Sequence, residues 1–150
     1  MIHEKTYTTL EYDKIRNILR QHLASEVGAE FVEKLRPAET LKEAETLQEQ
    51  TYEAEAVYAR TGRTPISGFP DVRELVGRMR AALFISAKEL LSVAAAMRAS
   101  REAKDVLQAG DAESLLCNMA NRLTSHRSVE EEIARCILSE DEIADNASTE

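Results

Sequence analysis

A chain of 150 residues with 43% hydrophobic content is long enough for one domain with its own core, and with only 5% aromatic residues and no Trp that core must be aliphatic, which suits helix packing. Five Gly and three Pro are too few turn residues for an all-β sandwich. A net charge of −8 argues against wholesale coating of nucleic acid.

Residues 9–24 place Tyr12, Ile15, Ile18, Leu19, His22 and Leu23 at three- and four-residue steps, which predicts one helix. A second is expected over residues 25–35. Ser25 is its cap, Val27, Phe31 and Leu35 form its apolar line, and Pro37 stops it. Thr40 caps a longer helix reaching about Arg60. Its stripe of Leu41, Ala44, Leu47, Thr51, Ala54 and Tyr58 approaches a heptad seam, opposite a Glu-rich face. Such a helix is built to lie along a partner helix or another part of the chain.

Residues 61–70, TGRTPISGFP, form the clearest loop, with two Gly and two Pro. Asp71 is expected to cap a short helix carrying Val72, Leu75, Val76 and Met79. Ser86 and Glu89 make a capping box that opens a helix to about Gln108, ended by Ala109 and Gly110. Asp111 or Ala112 starts the next helix, with Leu115, Leu116, Met119, Ala120 and Leu123. Ser128 and Glu131 read as a second capping box, opening a helix with Val129, Ile133 and Ile137. Cys136-Ile137-Leu138 and Glu142-Ile143-Ala144 then flank Ser139-Glu140-Asp141 in the pattern of a small β-hairpin, although Asp141 is a poorer turn residue than Gly. Asn146 or Ser148 before Thr149 and Glu150 resembles a helix start, and a long helix is expected to follow. The fold class expected is therefore all-α, a multi-helix bundle over residues 1–150.

The first ten residues show no apolar core or small-residue cleavage site of a secretory signal, and no apolar run has the length of a membrane span, so a cytoplasmic location is expected. Cys117 and Cys136 are the only cysteines and read as small buried hydrophobes. With His126 they lack the close paired spacing of a zinc site. The sequence has no GxSxG, GxGxxG or GxxxxGK[ST], so neither a nucleophile elbow nor a nucleotide loop is expected here. Glu130, Glu131 and Glu132 sit in a first helical turn, where acidic residues complement the helix dipole.

Charge is the most informative feature. Residues 60–104 hold nine Lys/Arg against four Asp/Glu, whereas residues 1–59 hold seven against twelve and residues 105–150 three against eleven. The basic middle contains Arg60, Arg63, Arg73, Arg78, Arg80, Arg98, Arg101 and Lys104. Of these, Arg63, Arg78, Arg80, Arg98 and Arg101 are the candidate nucleic-acid contacts, with Arg98 and Arg101 neighbours at i, i+3. The competing account is that these cations pair with the acidic flanks. Few aromatics interleave with them to stack on bases.

A collinear series of short motifs resembles the start of the type-two MutS proteins of bacteria. Thr8-Thr9-Leu10-Glu11-Tyr12-Asp13-Lys14-Ile15 is similar to their opening, and Ala24-Ser25-Glu26-Val27-Gly28 to their A-S-x-x-G step. Leu35-Arg36-Pro37, Ile66-Ser67-Gly68-Phe69-Pro70-Asp71-Val72, Ile85-Ser86-Ala87-Lys88-Glu89-Leu90 and the stretch 133–148 follow in order. Two departures stand out: Asp141 replaces a Gly turn, and Thr149 stands where Pro often follows the Ser.

The resemblance implies an N-terminal part of the helical core, or lever, that begins directly without mismatch-reading or connector domains. It implies a clamp, an ABC-type ATPase using ATP and Mg, and often an Smr nuclease-like domain elsewhere in the full-length protein. It further implies DNA binding with suppression of recombination, or rescue of stalled and collided ribosomes, and a homodimer. No catalytic residue, cofactor, metal or membrane contact is expected in this segment, whose partners would be the rest of its own chain. Two rivals are a free-standing helical protein-interaction adaptor, motivated by the stripe on residues 41–58, and a small helical enzyme using clustered Arg and Glu on an acidic substrate.

Overall fold

The computed structural model describes residues 4–66 and 68–148, and over these the chain is all-α. Eight helices run in order: α1 (Glu4–Thr9), α2 (Tyr12–Arg20), α3 (Glu26–Lys34), α4 (Leu41–Thr61), α5 (Arg73–Arg80), α6 (Ala87–Gln108), α7 (Leu115–Ala120) and α8 (Arg127–Cys136). No helix among the described residues is long and apolar enough to cross a membrane.

Caps set by local sequence form as expected. The hydroxyls of Ser25 and Thr40 accept the N–H groups of Gly28 and Glu43, and Ser86 and Glu89 make a full capping box. Gly62 closes α4 at φ 69°, a left-handed position that suits Gly, and donates to the carbonyl of Tyr58 at 2.8 Å.

Other boundaries move. The helix expected over 9–24 breaks at Glu11, which adopts φ 53°, so α1 folds back on α2. Tyr7 and Tyr12 meet edge to face at 5.4 Å across the break, and Arg16 lies over Tyr12. Asp71 takes the N–H of Arg73 at 3.0 Å, but the N-cap of α5 is Val72. In α7 the cap is Ser114 rather than Asp111 or Ala112. The second capping box does not form. The N-cap of α8 is His126, and Glu131 binds Arg127 instead. The hairpin pattern reduces to one antiparallel bridge, Ile137 with Ile143, supported by Leu138 N–H to Glu142 O at 2.9 Å and Ala144 N–H to Cys136 O at 2.8 Å. The helix start expected at the C-terminal end rests on Thr149 and Glu150, outside the described residues.

The 22-residue α6 is the central strut and packs on both α7 and α8, while α4 packs on α7. Its buried positions are Val93, Ala94, Ala99 and Ala103, and α7 contributes Cys117 and Ala120. These small side chains permit close helix approach but bury little area. Polar anchors therefore complete the frame. Glu53 of α4 accepts the N–H groups of Leu115 and Leu116, both at 2.8 Å, and so caps α7 from outside. Arg60 donates to the carbonyls of Val106 and Ala109 and caps the end of α6. Lys104 donates to the carbonyl of Leu123 at 2.8 Å.

These anchors turn Gln50, Glu53, Val57 and Thr61 toward the frame, leaving the predicted stripe of α4 outside. Leu41, Leu47 and Tyr58 are 76%, 45% and 54% exposed. On α3 the buried residue is Val32, and Phe31 faces solvent. The chain exposes 11,238 Å², against roughly 7,700 Å² for a compact monomer of its mass.

Candidate nucleic-acid interface

The basic middle is spent largely on holding helices together. Arg73 bridges Asp71 and Glu30 of α3. Both carboxylates are held below their ordinary values by hydrogen bonds from that guanidinium, Asp71 at about 2. Lys88 binds Glu140 at 2.8 Å, and that hydrogen bond raises its pKa. Arg78 of α5 reaches Glu89 and the Phe84 carbonyl, tying α5 to the start of α6. Glu89 is held at about 2 by the Ser86 N–H first, then by Arg78 and the Ser86 hydroxyl. Pairing with acidic residues thus accounts for Arg73, Lys88, Arg78 and Arg101.

The five candidate arginines fall into different settings. Arg78 is half-buried and committed to Glu89. Arg63, after α4, and Arg80, at the end of α5, are exposed, and among the described residues nothing pairs with their guanidinium groups. Arg98 is also exposed and unpaired in the same sense. It lies nine residues beyond Glu89 on α6, so about 14 Å along the helix from the Arg78 contact. Only Arg98 and Arg101 come together.

They line an open concavity of about 230 Å³ between α6 and α8, with Arg127, Glu130, Glu131 and Ala134. Glu130 is the only buried charged residue among those described, at 5% exposure. It accepts three hydrogen bonds from Arg101, from Nε at 3.2 and 3.3 Å and from Nη2 at 3.1 Å. That pairing raises the Arg101 pKa. Nη1 of Arg101 has only a distant contact, 3.9 Å from Asp105. Arg127 uses Nε on Glu131 at 2.9 Å.

Arg127 and Glu130 were missed by sequence reasoning. Arg127 lies outside the basic middle, and Glu130 reads locally as one of three carboxylates complementing a helix dipole. The one available signal was a cation three residues before the acidic run. Cys117 is buried as expected, whereas Cys136 is half-buried with its Sγ 3.2 Å from Arg135 Nη2. Both are free thiols. Among the described residues no group of three or more His, Cys, Asp or Glu is placed to hold a metal ion.

No protein-family model matches the chain. It is 36% identical, over 98% of its length, to the Endonuclease MutS2 of Ruminiclostridium cellulolyticum and equally to that of Acetivibrio thermocellus. It is 33% identical over 98% of its length to the Endonuclease MutS2 of a Geobacillus species. In each case it spans 19% of the relative's length. An alignment running almost end to end at this identity agrees with the collinear motifs of the sequence, and the chain belongs to the MutS2 family.

Proposed function

We propose that this chain is a non-catalytic helical arm of a MutS2-type ATPase, coupling the nucleotide state of the full-length protein to a clamp that engages DNA or ribosomal RNA. The observation that carries this reading is unpartnered apolar surface. The exposed area is about one and a half times that of a compact monomer. Leu41, Leu47, Tyr52 and Tyr58 of α4, Phe31 of α3 and Phe84 before α6 are all exposed. Faces of that extent belong against other parts of a large protein, and rigid packed helices are what mechanical coupling requires.

In this reading ATP and Mg bind outside the segment, any endonuclease activity lies there too, and the working form is a homodimer. Suppression of recombination and rescue of stalled or collided ribosomes are the two physiological roles proposed for the whole protein. Arg63, Arg80, Arg98 and Arg101 are the proposed contacts to nucleic acid. Arg78 is the weakest member of the set, because Glu89 and Phe84 occupy its donors.

The test is ATPase coupling in the full-length protein. Leu47→Glu with Tyr58→Glu, on the uncovered stripe, should leave basal ATP hydrolysis in place and abolish its response to nucleic acid. An unchanged response would reject the coupling role. Loss of a captured protein partner with coupling intact would favour the adaptor reading, which rests on the same stripe.

A further inference from the structure

We propose that the groove between α6 and α8 is a phosphate cradle, in which Arg98, Arg101 and Arg127 hold one phosphodiester group of a nucleic-acid backbone. This deepens the reading above and rests on it.

Three guanidinium groups line one open concavity of about 230 Å³. Arg98 and Arg101 arrive from one face of α6 at i, i+3, and Arg127 from the first residue of α8. Their donors are only partly used. Among the described residues Arg98 has no partner, Arg127 spends only Nε, and Nη1 of Arg101 has only its 3.9 Å contact with Asp105. Phosphate oxygens accept paired N–H donors from Arg, so the free forks of Arg98 and Arg127 match that ligand, and Arg101 adds Nη1.

The buried carboxylate explains why the groove is shaped this way. An apolar pair in place of Arg101 and Glu130 would cost little stability, since burying ions is costly. The charged pair fixes the Arg101 guanidinium through three hydrogen bonds and aims it. Counting Arg98, Arg101 and Arg127 against Glu130 and Glu131, the groove keeps one net positive charge. The N-cap of α8, His126, makes no side-chain cap, so the positive end of that helix dipole also lies beside Arg127. No aromatic side chain lines the groove. Recognition is therefore of backbone and not of base, sequence-independent and sensitive to salt.

The test measures binding of the full-length protein to labelled duplex DNA and labelled structured RNA across a salt series. Arg98→Gln and Arg127→Gln change exposed side chains that make no buried contact. Each should weaken binding by about three- to tenfold at roughly 0.1 M salt and make the log–log salt slope shallower, and the two changes together should reduce that slope by about one, the share of a single phosphate. Lys42→Gln, which removes an exposed charge on α4, should change neither. Glu131→Gln should tighten binding, because it frees Arg127 and removes a negative charge; a purely structural role for these residues predicts no such gain. Which labelled probe responds identifies DNA or RNA as the source of the phosphate. If the wild-type protein binds and the Arg98→Gln/Arg127→Gln double variant keeps its affinity and slope, the cradle is wrong and the nucleic-acid reading survives. If the wild-type protein binds neither probe, that reading fails and the cradle fails with it.

Discussion

Glu53 accepts the backbone N–H of Leu115 at 2.8 Å, sixty-two positions along the chain, so a side chain of α4 supplies the cap that α7 needs. The second carboxylate oxygen takes the N–H of Leu116. A six-residue helix is marginal alone, and Ser114 satisfies only the N–H of Cys117. Removing Glu53 orphans two half-buried donors. Glu53→Ala in the full-length protein is expected to lower the local stability of α7 by about 1–2 kcal/mol. Amide exchange at Leu115 and Leu116 should then speed up by roughly five- to thirtyfold. Unchanged exchange would show that the cap contributes nothing.

The junction of α5 and α6 should be acid-sensitive. Glu89 is held at about 2, below an ordinary value of 4.5, by the Ser86 N–H, Arg78 and the Ser86 hydroxyl. A depressed carboxylate stabilises the folded form above its unfolded pKa and loses that contribution as pH falls toward the folded one. The contribution of Glu89 should therefore be complete above about pH 5 and disappear between there and about pH 2. Glu89→Gln should remove this acid dependence from amide exchange in the first turn of α6. An acid limb that persists in the variant would assign it to other carboxylates.

Two glycines should respond differently to substitution. A Cβ on Gly68 would lie 2.8 Å from the carbonyl oxygen of Ala24, a backbone atom that cannot step aside. Gly62 has open space around it but a φ of +69°. Gly68→Ala should cost about 1–3 kcal/mol through overpacking. Gly62→Asn should be nearly silent, because Asn tolerates the left-handed C-cap, whereas Gly68→Asn should be as damaging as Ala. Thermal unfolding of the four proteins separates the cases. A benign Gly68→Ala would mean that the loop does not press on Ala24.

What the sequence disclosed follows the range of the interactions. Ser25, Thr40 and the Ser86–Glu89 box were legible because the capping hydroxyl and the N–H it accepts lie within three residues. Ser128 and Glu131 have the same spacing and fail, because Arg127 claims the Glu131 carboxylate and the N-cap falls two residues earlier, at His126. The break at Glu11 was hidden because the pattern through Ile15, Ile18 and Leu19 carries no trace of the Tyr7–Tyr12 contact. Periodicity found the stripe of α4 but not its orientation, which is fixed by Glu53 and Arg60 reaching residues far along the chain. The candidate site was half legible. The i, i+3 spacing gave Arg98 and Arg101, while Arg127 and Glu130 needed α8 to be seen against α6.

The pair of Arg101 and Glu130 allows a sharper test of what buried charge does here. Glu130 is 5% exposed and holds Arg101 through three hydrogen bonds. Glu130→Met strands a half-buried guanidinium, and Arg101→Met strands a buried carboxylate. Each single change is expected to cost about 2–3 kcal/mol, the range for losing hydrogen bonds to a charged group. The double variant removes both charges and replaces them with flexible apolar side chains, so it should recover most of that loss. Urea unfolding of the wild type, both singles and the double closes the cycle and gives the coupling directly. If the pair exists to aim Arg101 at a phosphate, the double variant should be stable yet bind nucleic acid with a shallower salt dependence. If it exists for stability alone, the double variant should recover little and stay about as unstable as the singles, with the salt dependence unchanged.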